Sequence, residues 1–273
     1  MIEQQEHSNL RPQQRSVSIT SFTSDTRAVF AREMSLILRD PFTLIFSIVQ
    51  PLVFLGLFGP LLAGSVDPEA IGNASPLQWF LPGVIVMICL FGTSTAGSNL
   101  LFEISLGSYE RVLASPIHRS SILVGRSLKE LAPLVVQATL ITLVAIPFGF
   151  QLYPLHALAG ALLLGVFGVG VGAFSNALAI ASRKREWMFW AVQQSLLFPL
   201  LILSGMMLPL EAGPQWMQVV SRFNPLTYIV DAERALFSGT FADRSVPLAV
   251  LAALLTCAVG LWVGVRQVAK STT

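Results

Sequence analysis

Apolar residues in this chain gather into long unbroken runs separated by short polar stretches. A run of about 20 apolar residues is long enough for an α-helix to cross a bilayer core of about 30 Å. Six such runs are legible, at about 42–63, 79–101, 127–149, 155–181, 187–207 and 247–265. They predict one six-helix transmembrane domain over 41–266, with Trp79 placed for the aromatic belt at a membrane surface. Ahead of it, residues 1–23 are rich in Gln, Ser and Arg without periodicity and read as a flexible tail. Residues 24–40 are different. Phe30, Met34, Ile37 and Leu38 share one helical face, while Arg32, Ser35 and Arg39 share another. A short amphipathic helix of this kind lies in the membrane interface, with Arg27, Arg32 and Arg39 as anchors on its wet side. Asp40-Pro41 then reads as an N-cap followed by proline at the first helical position. Residues 267–273 form a second polar tail. The expected fold class is an all-α integral membrane protein.

Composition agrees. Of the 273 residues, 53% are hydrophobic and 12% charged, with a mean hydropathy of +0.68. Soluble domains carry about 25% charged residues, and a soluble fold with this much apolar surface would expose adhesive patches. The first 40 residues lack a short apolar segment followed by a small-residue cleavage site, so the first apolar run is expected to remain as an anchor. An even number of spans puts both termini on one side. Basic residues identify that side. Arg11, Arg15, Arg27, Arg32, Arg39, Arg111, Arg119, Arg126, Lys129, Arg183, Lys184, Arg185, Arg266 and Lys270 fall on it, fourteen of the 17 Lys and Arg. Arg222, Arg234 and Arg244 fall on the other. The termini are therefore expected in the cytoplasm. Cys89 and Cys257 each sit inside an apolar run and read as small packing residues.

The chemistry is defined largely by what the chain lacks. No phosphate-binding loop is present, since none of Lys129, Lys184 and Lys270 follows a glycine. His7, His118 and His156 are isolated, which disfavours a metal site, and no nucleophile–base set is legible. An enzyme is not expected, nor a nucleic-acid partner. Ionisable residues are nearly absent from the span interiors, where proton- or ion-coupled carriers place them. The two halves share no motif that would mark an inverted repeat. Mid-membrane polarity is confined to Gln50, the stretch Gly92–Asn99, Asn176, Gln193 and Gln194. That stretch either lines a pathway or allows close helix packing, and Gly168-Val169-Gly170-Val171-Gly172 reads as a helix contact. Pro199 is expected to kink the fifth span.

On the cytoplasmic side only 102–126 is long enough for a structured contact. Its sequence F-E-I-S-L-G-S-Y-E-R-V-L-A-S-P-I-H-R reads as a short helix stopped before Pro116, offering apolar and charged groups together. Such a helix suits docking into a groove on another protein. The segment E-R-V-L-A-S-P-I-H-R, followed by L-V-G-R-S-L, resembles the coupling segment of type-2 ABC transporter permeases. L-S-G-M-M-L-P-L at 203–210, P-Q-W at 214–216, N-P-L-T-Y at 224–228, then Asp231 and Arg234, resemble that family's outer-loop signature. The likeness runs from about residue 24 to the end and is nearest to daunorubicin-resistance permeases.

The resemblance implies a six-helix permease with an N-terminal elbow helix, paired as a homo- or heterodimer and driven by two copies of a separate ABC ATPase. ATP and Mg2+ would be bound by that partner, and no cofactor by this chain. It further implies a bacterial inner-membrane location and an amphipathic drug- or lipid-like cargo. Sister branches export polysaccharide or glycolipid. Gly107, Tyr109, Glu110, Arg111, Ser115, Pro116 and Arg119 would meet the ATPase, and Pro209, Asn224, Pro225 and Tyr228 would build the outer loop. Where the family often has Gly-Thr before the glutamate, this chain has Gly107-Ser108-Tyr109-Glu110. A membrane scaffold or receptor, the reading from another class, would need no ATPase.

Overall fold

Helices account for all the regular structure among the described residues, and no strand occurs there. The structure is a computed structural model and describes residues 19–39, 41–65, 74–107 and 119–270. In chain order the helices are α1 (Ile19–Arg39), α2 (Pro41–Ser65), α3 (Pro76–Ser105), α4 (Arg119–Lys129) and α5 (Leu131–Ala145). They are followed by α6 (Pro154–Ala181), α7 (Glu186–Ile202), α8 (Gln215–Ser221), α9 (Pro225–Phe237) and α10 (Ser245–Lys270). Proline at the first position pre-sets the backbone of α3, α6 and α9 without sacrificing a hydrogen bond. Ser75 Oγ caps α3 by accepting from the Gln78 N–H at 3.1 Å.

Four stretches are long and apolar enough to cross a membrane: Pro76–Ser105, Val124–Phe148, Pro154–Ala181 and Ser245–Val268. The protein is an integral membrane protein. The other two apolar runs fold as α2, whose Ile48–Leu61 stretch is apolar, and the 17-residue α7. Three helix boundaries differ from those expected. The third run divides at Glu130 into α4 and α5, because Pro133 has no N–H to continue the helical ladder. The fifth stops at Ile202 instead of 207, where Gly205 turns the chain with φ +71°. The first helix begins at Ile19, ahead of the expected 24.

The core is built around α6, held between α3 and α10. Glycines set both contacts. A Cβ at Gly168 would sit 2.9 Å from the Thr93 methyl on α3, and one at Gly170 would sit 2.7 Å from the Cys257 N on α10. Gly260 on α10 faces the Gly170 backbone in return. In a lipid environment, where burial of apolar surface does not drive helices together, such backbone approach supplies the dispersion contact that does. The G-V-G-V-G segment is thus a double-sided contact, Gly168 and Gly172 toward α3 and Gly170 toward α10. Stacked rings of Phe54, Phe58 and Phe80, with centroids 4.5–6.5 Å apart, fasten α2 to α3. On the outside of α10, Leu251, Leu255, Val259 and Trp262 are exposed, as a lipid-facing surface requires.

Candidate functional site

Three places on this scaffold carry the polar chemistry, and the one built from residues 203–240 is the most complete. The segment 203–240 folds back over the ends of α3 and α7. At its centre Asn224 caps α9: Oδ1 accepts from the Leu226 N–H at 3.0 Å, and Nδ2 donates to the Leu200 carbonyl at 2.7 Å. Thr227 Oγ1 donates within 3.1 Å of both the Leu203 and the Ser221 carbonyls, and Tyr228 OH donates to the Arg222 carbonyl at 2.7 Å. Leu200 and Leu203 belong to the last turn of α7 and the residue after it, where carbonyls lose their helical partners. Pro225 opens α9, and Pro209 precedes the turn Leu210–Ala212.

Arg234, one helix face away, donates to the Gly205 and Met206 carbonyls at 2.8 and 3.2 Å and lies 3.6 Å above the Trp79 ring. Beside it opens a cavity of about 570 Å³ whose lining includes Glu211, Asp231, Asp243 and Ser238. The backbone N–H of Ser245, donated to Asp243, holds that carboxyl below the usual aspartate range. Gln78 adds a tie that its sequence position does not reveal. Its amide donates to the Gln151 and Phe237 carbonyls at 3.0 and 2.6 Å and accepts from the Gln151 N–H at 3.0 Å.

The Gly92–Asn99 stretch of α3 serves both readings of its sequence, on opposite faces. Thr93, Ser94, Ala96 and Gly97 are buried, with Gly97 against the Ser175 backbone of α6. Gly92, Thr95 and Asn99 are exposed on the other side. The hydroxyls of Thr93, Ser94, Thr95 and Ser98 donate to carbonyls of their own helix, 2.5–2.8 Å away, which lowers the cost of placing them in a membrane. Between α3, α6, α7 and α10 lies a groove of about 490 Å³ with apolar walls that include Leu90, Phe167, Phe174 and Leu197. Ser94 and Gln193 reach its lining, and Gln193 Oε1 is buried without a hydrogen-bond partner. Asn176 is buried with neither amide atom bonded, while Gln50 and Gln194 are exposed.

At the opposite end of the bundle, Glu103 near the close of α3 is ion-paired with Arg126 on α4. Helix α4 also packs against α1, where the buried Val29 lies against Gly125, and against α6 and α10. On α1, Arg27 and Arg32 are exposed while Phe30 and Met34 are half-buried, an amphipathic arrangement. Gly107, with φ +67°, and Arg119 flank the inner loop. Tyr109, Glu110, Arg111, Ser115 and Pro116 lie outside the described residues, as does Asp40, and Arg39 is described only as the last residue of α1. Among the described residues no His, Cys, Asp or Glu group could hold a metal ion.

Sequence reasoning missed Glu103–Arg126 as a pair, because opposite charges 23 residues apart on two helices carry no local signal. It also did not single out Glu233, whose side chain is fully buried.

Comparison with known proteins covers most of this architecture. The ABC-2 type transporter profile matches residues 24–238. The transport permease ycf38 of Cyanophora paradoxa is 33% identical over 83% of this chain and 79% of its own length. The daunorubicin resistance ABC transporter permease protein DrrB1 of Streptomyces coeruleorubidus is 29% identical over 82% of this chain and 79% of its own. The doxorubicin resistance ABC transporter permease protein DrrC of Mycobacterium tuberculosis is 24% identical over 84% and 83%.

Proposed function

This chain belongs to the ABC-2 type transporter family, and from that premise we propose that it is the permease of an ATP-driven exporter of amphipathic, drug- or lipid-like molecules. Family members are membrane transport subunits that work with an ABC ATPase and are not themselves enzymes. The family match over residues 24–238 is the observation that carries the reading. In the proposed assembly two ATPase copies, holding ATP and Mg2+, drive a dimer of permease chains in a bacterial inner membrane. All six apolar runs span, both termini are cytoplasmic, and α1 lies in the interface as an elbow.

The placement of the ion pair supports an entry point for energy at the inner loop. Motion of 108–118 would pull on Gly107 at one end and Arg119 at the other. The Glu103–Arg126 pair would make α3 and α4 move together, and α4 would carry α1 with it. The exposed face of α3, with Thr95 and Asn99, is suited to line the path between two chains. An apolar groove offering one unbonded amide oxygen favours a cargo with an apolar body and a few donors over a polysaccharide. A glycolipid is the alternative cargo, separable by transport of a labelled lipid-linked sugar.

The decisive experiment is reconstitution with the partner ATPase. Cargo-stimulated ATP hydrolysis is expected in the wild type and should be lost in the Glu110→Ala, Arg111→Ala double variant. Undiminished coupling in that variant would remove the inner-loop assignment. If no ATPase co-purifies with the chain, the exporter reading fails and a scaffold or receptor takes its place.

A further inference from the structure

Glu233 on α9 has no exposed surface, and neither of its carboxyl oxygens has a hydrogen-bond partner. A buried ionisable group in a membrane protein is costly unless it is paired, and one that persists marks function by default. Arg234, its neighbour in sequence, is not a counter-charge, since its guanidinium is engaged by the Gly205 and Met206 carbonyls and the Trp79 ring. No ion pair among the described residues includes Glu233. Its place is nevertheless shaped for it. A Cβ built on Gly160 of α6 would sit 2.5 Å from Glu233 Oε2, so the carboxyl occupies the notch that this glycine leaves.

Few titratable groups face that notch. Helix α3 presents the Cys89 thiol, which donates to the Leu164 carbonyl at 3.5 Å. Helix α6 carries His156 one turn before Gly160, its ring stacked on Phe241 at 4.0 Å. Helix α10 packs on α9, and its fully buried outer positions are Ala249 and Ala253. On α9 itself, Asp231 and Arg234 line the outer cavity. A fully buried carboxylate without a cation or donor takes up a proton instead of keeping its charge. Burial accordingly pushes the Glu233 carboxyl up to about 8.

We propose that Glu233 is a proton-binding site, protonated while α9 is packed against Gly160 of α6 and deprotonated when the two helices part. On parting, the O–H bond breaks, the proton passes to water, and a hydrated carboxylate remains. The packed state thus binds one more proton than the parted state. Raising the pH shifts the balance toward parting by about tenfold per unit between 4.5, the ordinary glutamate value, and about 8, and by no more beyond that window. In the permease reading α9 lies on the outer side, so external pH would set how readily the outer end opens. That consequence rests on the reading; the proton site does not.

The test uses the purified chain in lipid nanodiscs, without ATPase or cargo, so its failure would leave the permease reading untouched. Infrared difference spectra of the wild type against Glu233→Gln should show one protonated-carboxyl band at neutral pH that titrates away near 8. Hydrogen exchange of α9 amides, corrected for intrinsic rate, should lose protection relative to α6 as pH rises from about 6 to about 8, and only in the wild type. Should Glu233→Gln fail to fold, Gly160→Ala keeps the acid but crowds it out of the notch. The band's midpoint should then fall toward 4.5. Absence of the band at neutral pH, an unmoved midpoint in Gly160→Ala, or equal α9 protection across the pH range would each overturn the proposal.

Discussion

Replacing Asn224 by alanine removes two hydrogen bonds from a side chain that is 4% exposed. The first is the cap on α9, whose loss costs about 0.5–2 kcal/mol. The second leaves the Leu200 carbonyl without its donor, and a buried acceptor so stranded costs about 1–3 kcal/mol. Leu200 cannot recover a helical partner, because the next N–H groups are already committed: Leu203 donates to Pro199 and Ser204 to Leu201. The two losses fall on different backbone groups, so they add to about 3 kcal/mol. Asn224→Asp separates them. It keeps an acceptor at the cap and gains about 0.3–1 kcal/mol from charge at a helix N-terminus, but it has no donor for Leu200. A carboxylate oxygen facing the buried Leu200 carbonyl is unfavourable, so the variant's loss should shrink as pH falls and the protonated acid donates there. Thr227→Val, which deletes the bonds to Leu203 and Ser221 at nearly constant volume, should show coupling with Asn224→Ala because both hold α9 to the end of α7. Reversible unfolding of the purified chain in mixed detergent micelles gives the energies, and hydrogen exchange locates them in the first turn of α9. If Asn224→Ala unfolds within about 0.5 kcal/mol of wild type, the segment is not pinned by these bonds and the account of the N-P-L-T-Y signature is wrong.

Gly170→Ala should destabilise the chain by about 1–3 kcal/mol, since the new methyl meets the α10 backbone at 2.7 Å. Gly56→Ala on α2, with nothing within 4 Å, should be neutral or slightly stabilising in the same unfolding assay. Arg126→Gln removes the charge that pairs with Glu103 and should cost about 1.5–3 kcal/mol, with part recovered in the charge-swapped Glu103→Arg, Arg126→Glu pair. The Asp243 carboxyl accepts from the Ser245 N–H at 2.8 Å, and its lowered pKa means this contribution is present above the ordinary aspartate value and lost as pH falls below it. Protection at the start of α10, corrected for intrinsic rate, should therefore fall on acidification in the wild type but not in Asp243→Asn.

Much of this architecture is legible in sequence because membrane spans are written in one dimension. A run such as 155–181 needs only length and apolarity, and α6 covers nearly those residues. Helix starts are as readable where Ser75-Pro76 or Asn224-Pro225 combines a cap with a proline. Helix breaks are harder. The division at Glu130 depends on Pro133, which equally fits inside a continuous span, and the stop at Ile202 depends on a positive φ at Gly205 three residues later. The site is least legible where its parts lie far apart in the chain. Gln78 ties to Gln151 and Phe237, and Arg234 to Trp79, across more than 70 residues each. Glu233 is hidden for a different reason. Position 233 lies on the buried stripe of Leu226, Ile229 and Phe237, but the sequence does not reveal the notch at Gly160 that leaves room for a carboxyl there.

The same packing suggests which parts of the protein move and which hold still. Close backbone contact at Gly97, Gly168, Gly170 and Gly260 leaves α3, α6 and α10 no room to slide without collision, so they act as one body. The pieces at its two ends are attached differently. On the inner side α4 is joined by an ion pair and by α1 packing through Val29, contacts that can rotate as a unit. At the other end α9 packs on α10, α3 and α6 and is joined to the end of α7 by hydrogen bonds. Helix α7 itself buries only Phe189, Leu197 and Leu201 among its 17 residues, and its open side borders the apolar groove. A force entering at α4 would pass to α3 through Glu103 and move the glycine-locked core as one body. Helix α7 packs on α3 and α6, and where it shifts against that body it draws on α9 through Asn224 and Thr227. On this argument those two side chains do more than stabilise the outer segment: they are the link that makes α9 follow α7. Weakening them should separate the motions of the two helices before it unfolds the chain.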